Sequence, residues 1–106
     1  MRHSIEIIDT WGSHMLGQRL QELRGGCGWS QVEVAKRLRV TKQTVSNWEN
    51  ENIQPSIDML VRLAQLYNVS TDYLLGMESV PRLNVDGVPS GVVAHLSLLI
   101  DDYRNK

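Results

Sequence analysis

Residues 30–49 read Ser30-Gln-Val-Glu-Val-Ala-Lys-Arg-Leu-Arg-Val-Thr-Lys-Gln-Thr-Val-Ser-Asn-Trp-Glu49, and the reading of this stretch decides the fold. Ser30 is placed to cap a helix, and Glu33 three residues on completes a capping box. Trp29, just before the cap, is placed to staple onto Val34 and fix the entry of the chain. Thr41 caps a second helix only two residues beyond the position after Leu38. Helices joined that tightly cannot run antiparallel, so they must cross steeply, as in a helix-turn-helix. Ala35, Leu38, Val45 and Trp48 recur at helical spacing and predict the inner face. Lys42, Gln43, Ser46, Asn47 and Asn50 fall on the other side, where they can donate and accept toward base edges in a DNA major groove.

The composition bounds what else the chain can be. At 106 residues it predicts one domain with a short appendage. An apolar content of 42% is enough for a core, and no apolar run approaches the roughly 18 residues that span a membrane. A single cysteine, Cys27, excludes an intramolecular disulfide framework and a zinc site built on paired thiolates. It suits a reducing cytoplasm, which is the expected location. His3, His14 and His95 show no ligand spacing, so no metal and no cofactor is expected. No nucleophile triad or lysine-containing phosphate loop is present, so an enzyme is not expected. Gly25-Gly26-Cys27-Gly28 reads as a flexible turn between two helices. Net charge is only −1, yet between Trp29 and Trp48 the basic Lys36, Arg37, Arg39 and Lys42 face Glu33 alone. A local basic patch on a near-neutral chain predicts modest non-specific affinity for nucleic acid and a strong dependence on salt.

Along the chain, Gly12-Ser13-His14-Met15 reads as the seam an expression vector leaves before a native start methionine. Residues 1–14 are therefore expected to contribute nothing to function, although Ile5 to Ile8 could pair as a strand. A first helix is expected from about Leu16 to Arg24, with Leu16, Leu20 and Leu23 on one stripe, ended by the glycines. The helix pair of residues 30–50 follows. Pro55-Ser56 opens a fourth helix with Ile57, Leu60, Leu63, Ala64 and Tyr67 as its core stripe. Ser70 caps a short fifth helix through Leu75, stopped by Gly76. The expected fold is all-α, with a compact five-helix domain over residues 15–76. Residues 77–89 read as a linker. Residues 90–106 form a last amphipathic helix with a seam of Val92, Leu96, Leu99 and Tyr103, widened by Leu98 and Ile100. Such a helix is marginal alone, and docking against a second copy of the chain is the expected use of its seam. Residues 77–106 are too few for a ligand-binding or autoprotease domain. Control is expected through protein level, dimer equilibrium or an antagonist protein.

Residues 16–76 resemble the lambda repressor and Cro-like helix-turn-helix family, often called the XRE family. The resemblance is carried by Trp29-Ser30-Gln31, Ala35, the run Val40 to Glu49, Pro55-Ser56, Leu60 with Leu63-Ala64, and Val69-Ser70 with Asp72 to Gly76. It implies a lambda-repressor-like fold binding double-stranded DNA. It places Lys42, Gln43, Ser46 and Asn47 at the bases, with Gln43 suited to a bidentate adenine contact worth about 1–3 kcal/mol of discrimination. Lys42 reads a guanine or neutralises a phosphate. Phosphate contacts fall to Gln31, Arg39, Thr41, Thr44, Asn50 and Asn52, with Gln31 also buttressing the recognition helix. Arg24 and Glu49 match a position pair that forms a partly buried ion pair between the first and third helices. Two residues depart from the pattern, since Arg39 and Glu51 stand where the family often has glycine. A left-handed conformation there costs about 1 kcal/mol, and Glu51 facing DNA would repel it.

The resemblance implies a transcriptional regulator, by default a repressor, binding a pseudopalindromic operator as a homodimer. Two rivals differ in class. In one the chain is a toxin-neutralising antitoxin whose last helix docks on a partner protein and whose domain autoregulates. In the other it is a protein-binding module that has lost DNA contact, for which Glu51 and the near-zero net charge speak.

Overall fold

The computed structural model describes residues 13–106, all-helical with irregular connections. The helices are α1 (Ser13–Gly26), α2 (Gln31–Leu38), α3 (Lys42–Glu49), α4 (Ile57–Tyr67), α5 (Thr71–Leu74) and α6 (Ser90–Arg104). The proposed seam at residues 12–15 and the candidate strand at residues 5–8 lie wholly or largely outside the described side chains.

Four helices start in the same way. The hydroxyls of Ser30, Thr41, Ser56 and Ser70 accept from the N–H groups of Glu33, Thr44, Met59 and Tyr73 at 3.0–3.1 Å. Each cap satisfies a donor that the first turn leaves without a helical partner. The capping box at Ser30 forms only by half. The Glu33 carboxylate lies 3.8 Å from Arg37 one turn on, and this i,i+4 pair draws it away from the N-cap.

The helix ends are equally uniform. Behind α1 the Trp29 N–H reaches the Arg24 carbonyl and the Gly28 N–H reaches that of Gly25, the paired bonds of a Schellman motif with Gly28 left-handed at φ +70°. The same two bonds close α2 at Arg39, α3 at Glu51, α4 at Asn68 and α5 at Gly76, and all of these have positive φ. The motif explains why α1 outruns its expected end at Arg24. Gly25 and Gly26 stay helical, and only Gly28 turns the chain. It also turns α2 into α3 in the space of three residues, with the left-handed conformation carried by Arg39 (φ 59°) and by no glycine.

The caps and turns gather one core. Leu16 and Leu20 of α1, Val34, Ala35 and Leu38 of α2, Val45 and Trp48 of α3, Leu63, Ala64 and Tyr67 of α4, and Leu74 of α5 are all buried. Leu23, Trp29, Met59, Leu60 and Leu66 pack around them. Ile57 does not join the core stripe, being 82% exposed. It follows the Ser56 cap directly, on the outer side of the first turn, and Met59 takes the inward place. Trp29 meets Tyr67 at 6.1 Å between ring centres, and the Arg37 guanidinium lies over the Trp29 ring at 4.1 Å.

Gly17 marks the tightest approach of α1 to the end of α3. A β-carbon on it would stand 2.6 Å from the Glu49 carbonyl oxygen, and its N–H donates to the Glu51 carboxylate. Glu51 is therefore tied to α1 and does not present its charge to the recognition face.

The first part of the expected linker, residues 77–84, is fastened to the domain. The buried Arg19 guanidinium stacks on Tyr73 at 3.9 Å and donates to the carbonyls of Tyr73 and Glu78, the latter at 2.8 Å. The Ser70 hydroxyl donates to the Glu78 carboxylate at 2.6 Å, and Asn68 donates to the Asn84 carbonyl at 3.1 Å. Helix α6 then stands clear of the domain. Leu98 falls on the opposite side of α6 from the Leu96–Leu99 seam, so only Ile100 widens that seam.

Two outcomes are expected from this packing. Gly17→Ala should destabilise the fold by about 1–3 kcal/mol in denaturant unfolding, because the new methyl meets the Glu49 backbone carbonyl as well as the Glu51 side chain. Unchanged stability would show that α1 can shift away from α3. Burial, followed by the nearby Glu49 charge, raises the Tyr67 phenol well above its ordinary pKa of 10.0. The unfolded chain thus releases this proton first, and stability should hold below pH 10 and fall above it by up to about 1.4 kcal/mol per pH unit. Tyr67→Phe should flatten that alkaline limb, measured as the urea midpoint against pH.

Candidate nucleic-acid interface

The outward face of α3 is fixed by what its inward face buries. Val45 and Trp48 are 2% and 4% exposed, so the helix cannot roll about its axis without opening the core. Lys42 and Gln43 are consequently exposed, and Ser46 and Asn47 are half-exposed on the same side. These four side chains share one surface beside the turn. Gln43 donates to the Asn47 side-chain oxygen at 3.1 Å, and Asn50 donates to the Ser46 hydroxyl at 3.1 Å. The Asn52 amide adds a long contact to Asn47 at 3.5 Å. The ladder holds the Gln43 amide in place while leaving its oxygen and one N–H free, the pair needed to read an adenine edge.

The residues assigned to phosphate do not form one set. Arg39 in the turn and Asn50 and Asn52 after α3 are exposed, available to a backbone running past either end of the recognition helix. Thr41 and Thr44 are occupied with each other, their hydroxyls 2.8 Å apart and the Thr41 oxygen also capping α3. Gln31 donates to Glu49 at 3.1 Å, which leaves one N–H of its amide over. The N-terminal N–H groups of α2 and α3 supply donors of their own, as helix starts do.

Behind the face lies a clamp. Arg24 meets Glu49 through both ends of its fork, Nε to one carboxylate oxygen at 2.7 Å and Nη2 to the other at 3.1 Å. Its remaining Nη1 donates to the Trp29 carbonyl at 3.0 Å. The Glu49 side chain is only 3% exposed, and the bidentate geometry together with Gln31 gives its carboxylate three donors. The hydrogen-bonded carboxylate holds the Arg24 guanidinium above its usual pKa. The clamp joins α1, the start of α2 and the end of α3. Gln21 adds a bond from α1 to the Glu49 carbonyl at 3.1 Å.

Sequence reasoning missed several of these contributors. Arg62 on α4 donates to the Leu38 carbonyl at 2.8 Å, capping the exposed end of α2 just before the turn. Gln21, Gly17 and Arg19 were also passed over. Each sits singly on a helix with no motif, and only the small residue at Gly17 hinted at close approach.

The seam residues of α6 lie away from this face. Val92, Leu96, Leu99 and Tyr103 are 48%, 39%, 60% and 76% exposed, and no other element covers them among the described residues. None of the described helices is long and apolar enough to cross a membrane.

Two capped helices joined by a left-handed turn, with a polar outer face and an ion-pair clamp behind it, define a helix-turn-helix domain. The chain belongs to the Cro/C1-type helix-turn-helix family, whose pattern matches residues 20–74. Among curated proteins it is similar to the HTH-type transcriptional regulator ImmR of Bacillus subtilis, 45% identical over 69 residues, covering 65% of this chain and 54% of that protein. It is also similar to YobD of the same organism, an uncharacterized HTH-type transcriptional regulator, 36% identical over 72 residues, covering 68% of this chain and 64% of that protein. Antitoxin HigA1 of Mycobacterium tuberculosis is 42% identical over 57 residues, covering 54% of this chain and 38% of that protein. The chain thus spans less than two thirds of the length of each.

The clamp carries a direct expectation. Arg24→Ala leaves Glu49 buried without its cation and should cost about 3–5 kcal/mol, read as the shift in urea midpoint. A loss below about 1 kcal/mol, as for an exposed pair, would show that Glu49 reaches water once Arg24 is gone.

Proposed function

We propose that this chain is a sequence-specific DNA-binding transcriptional regulator. It binds a pseudopalindromic operator as a homodimer and acts by default as a repressor that occludes polymerase. The observation that carries the reading is the immobilised outer face of α3. Lys42, Gln43, Ser46 and Asn47 are presented together by a helix whose back is buried and whose end is clamped. Gln43 reads adenine, Lys42 adds a guanine or phosphate contact, and Ser46 and Asn47 complete the base-facing row. Arg39, Asn50, Asn52 and the remaining N–H of Gln31 meet phosphates, with Thr41 and Thr44 contributing chiefly through the backbone at the start of α3 that Thr41 caps. Lys36, Arg39 and Lys42 concentrate positive charge around this face of a near-neutral chain. The match to two transcriptional regulators supports this reading.

Dimerisation falls to the exposed seam of Val92, Leu96, Leu99 and Tyr103, which is too apolar to remain in water along a four-turn helix. Two copies would set their recognition helices in successive major grooves, with half-site centres about 34 Å apart. The similarity to an antitoxin favours one alternative, in which the same seam docks on a partner protein and the domain autoregulates. An α6 that leaves the chain monomeric until a second protein is added would favour that alternative.

Two substitutions on the face should behave differently. Gln43→Ala should lower affinity for the preferred site by about 1–3 kcal/mol and relax preference at one base position. Lys42→Ala, if its contact is to phosphate, should weaken binding to all sequences alike and reduce the salt slope by about 1. Fluorescence anisotropy with specific and scrambled duplexes separates the two. If both variants bind like the parent, α3 is not the reading element.

A further inference from the structure

Residues 77–84 lie against the domain as a strap with several fastenings. Arg19 and Ser70 hold Glu78 by its backbone and its side chain. Asn68, itself the left-handed end of α4 (φ 55°), holds the Asn84 carbonyl. Between these points Arg82, Leu83 and Asn84 form one wall of a groove of about 570 Å³, with Val61, Ala64 and Asn68 on the other. Beyond Asn84 the chain stays bonded to itself. The Asp86 N–H donates to the Asn84 side chain at 2.8 Å, and the Val88 N–H to the Val85 carbonyl at 3.0 Å. Pro89 then leads straight into α6, its carbonyl accepting from Val92 and Val93.

One fastening, Arg19, sits on α1, which holds the recognition helix, while Asn68 and Ser70 sit at the junction of α4 and α5. Arg19 is one turn from Leu23 and Arg24 on α1, and α1 is joined to the end of α3 through Gln21, Arg24 and Gly17. Hydrogen bonds thus link the recognition helix through α1 to Glu78, and a second set, exposed at the surface, runs from Asn68 through Asn84 to the start of α6.

We propose that this strap, pinned by Arg19, Ser70 and Asn68, sets the spacing between operator half-sites by fixing the direction in which α6 leaves the DNA-reading domain. The proposal rests on the DNA-reading dimer described above. One added base pair turns a half-site by about 35° and moves it by about 3.4 Å. A free linker of residues 77–89 would span about 20 Å as a random coil and follow such changes easily. A pinned strap cannot, so it converts spacing into affinity. Arg19, Ser70 and Asn68 are positioning residues, acting on DNA only through the placement of α6.

The test uses the intact protein and duplexes bearing two inverted copies of the half-site recovered from a random pool. The distance between centres is varied in single base-pair steps. The parent should prefer one spacing over its neighbours by about tenfold or more. The double variant Asn68→Gly with Glu78→Ala keeps the left-handed end of α4, since glycine accepts that conformation, while removing two fastenings. A second variant replaces residues 79–84 by a glycine-serine run of equal length. Both should flatten the preference to about threefold or less, with binding to a duplex holding one half-site unchanged. Parent-like spacing preference in both variants, or a parent indifferent to spacing while binding two half-sites cooperatively, would overturn the strap and leave the dimer standing. Binding of single half-sites only would overturn the dimer itself, and absence of any DNA binding would overturn the functional reading.

Discussion

The Arg24–Glu49 pair is the contact on which the rest of the structure depends. A carboxylate at the C-terminal end of α3 opposes the helix dipole and is almost wholly removed from water. Left alone it would be among the costliest groups in the molecule. The bidentate guanidinium, the Gln31 amide and the surrounding core make it tolerable only in one arrangement. That arrangement fixes α1, the start of α2 and the end of α3 with respect to one another. A buried pair of this kind adds little net stability over an apolar substitute. Its value here lies in geometry, since small displacements of α3 would break charge-assisted bonds and not merely slide apolar surfaces.

The helix ends solve a second problem, which is to stop five helices and turn the chain off each of them. All five use one hydrogen-bond pattern with a left-handed residue at its centre. At Gly28, Asn68 and Gly76 the residue type makes that conformation easy. At Arg39 and Glu51, which flank the recognition helix, it does not. The strain of about 1 kcal/mol at each is offset differently. Glu51 sends its carboxylate to the Gly17 N–H and so fastens the loop after α3. Arg39 keeps a long cationic side chain at the point where the proposed DNA backbone passes.

Much of this was legible in the sequence because caps and periodicity leave local marks. Ser30, Thr41, Ser56 and Ser70 announce the helix starts, and the apolar spacing of Leu16, Leu20, Leu38, Val45 and Trp48 announces the core. Ile57 misled because the position directly after a cap can match a stripe in spacing while its side chain points outward. The fastenings were not legible. Arg19, Gln21, Ser70 and Arg62 bond to backbone or side-chain groups remote in sequence, and nothing near them marks the partner. The strap was hidden for a related reason. Prolines and a glycine read as a linker, and the hydrogen bonds from Asn68 and Arg19 that fasten its first part arise only once α1, α4 and α5 have packed.

The account's central claim is that a rigid α3 face, duplicated by a dimer through α6, reads DNA. The most direct test is selection by the intact protein from a pool of random duplexes at near-physiological salt. The account predicts enrichment of a two-fold-symmetric motif whose half-site centres lie about one helical turn apart. Folded protein that enriches no motif would contradict it and turn attention to a protein partner for α6.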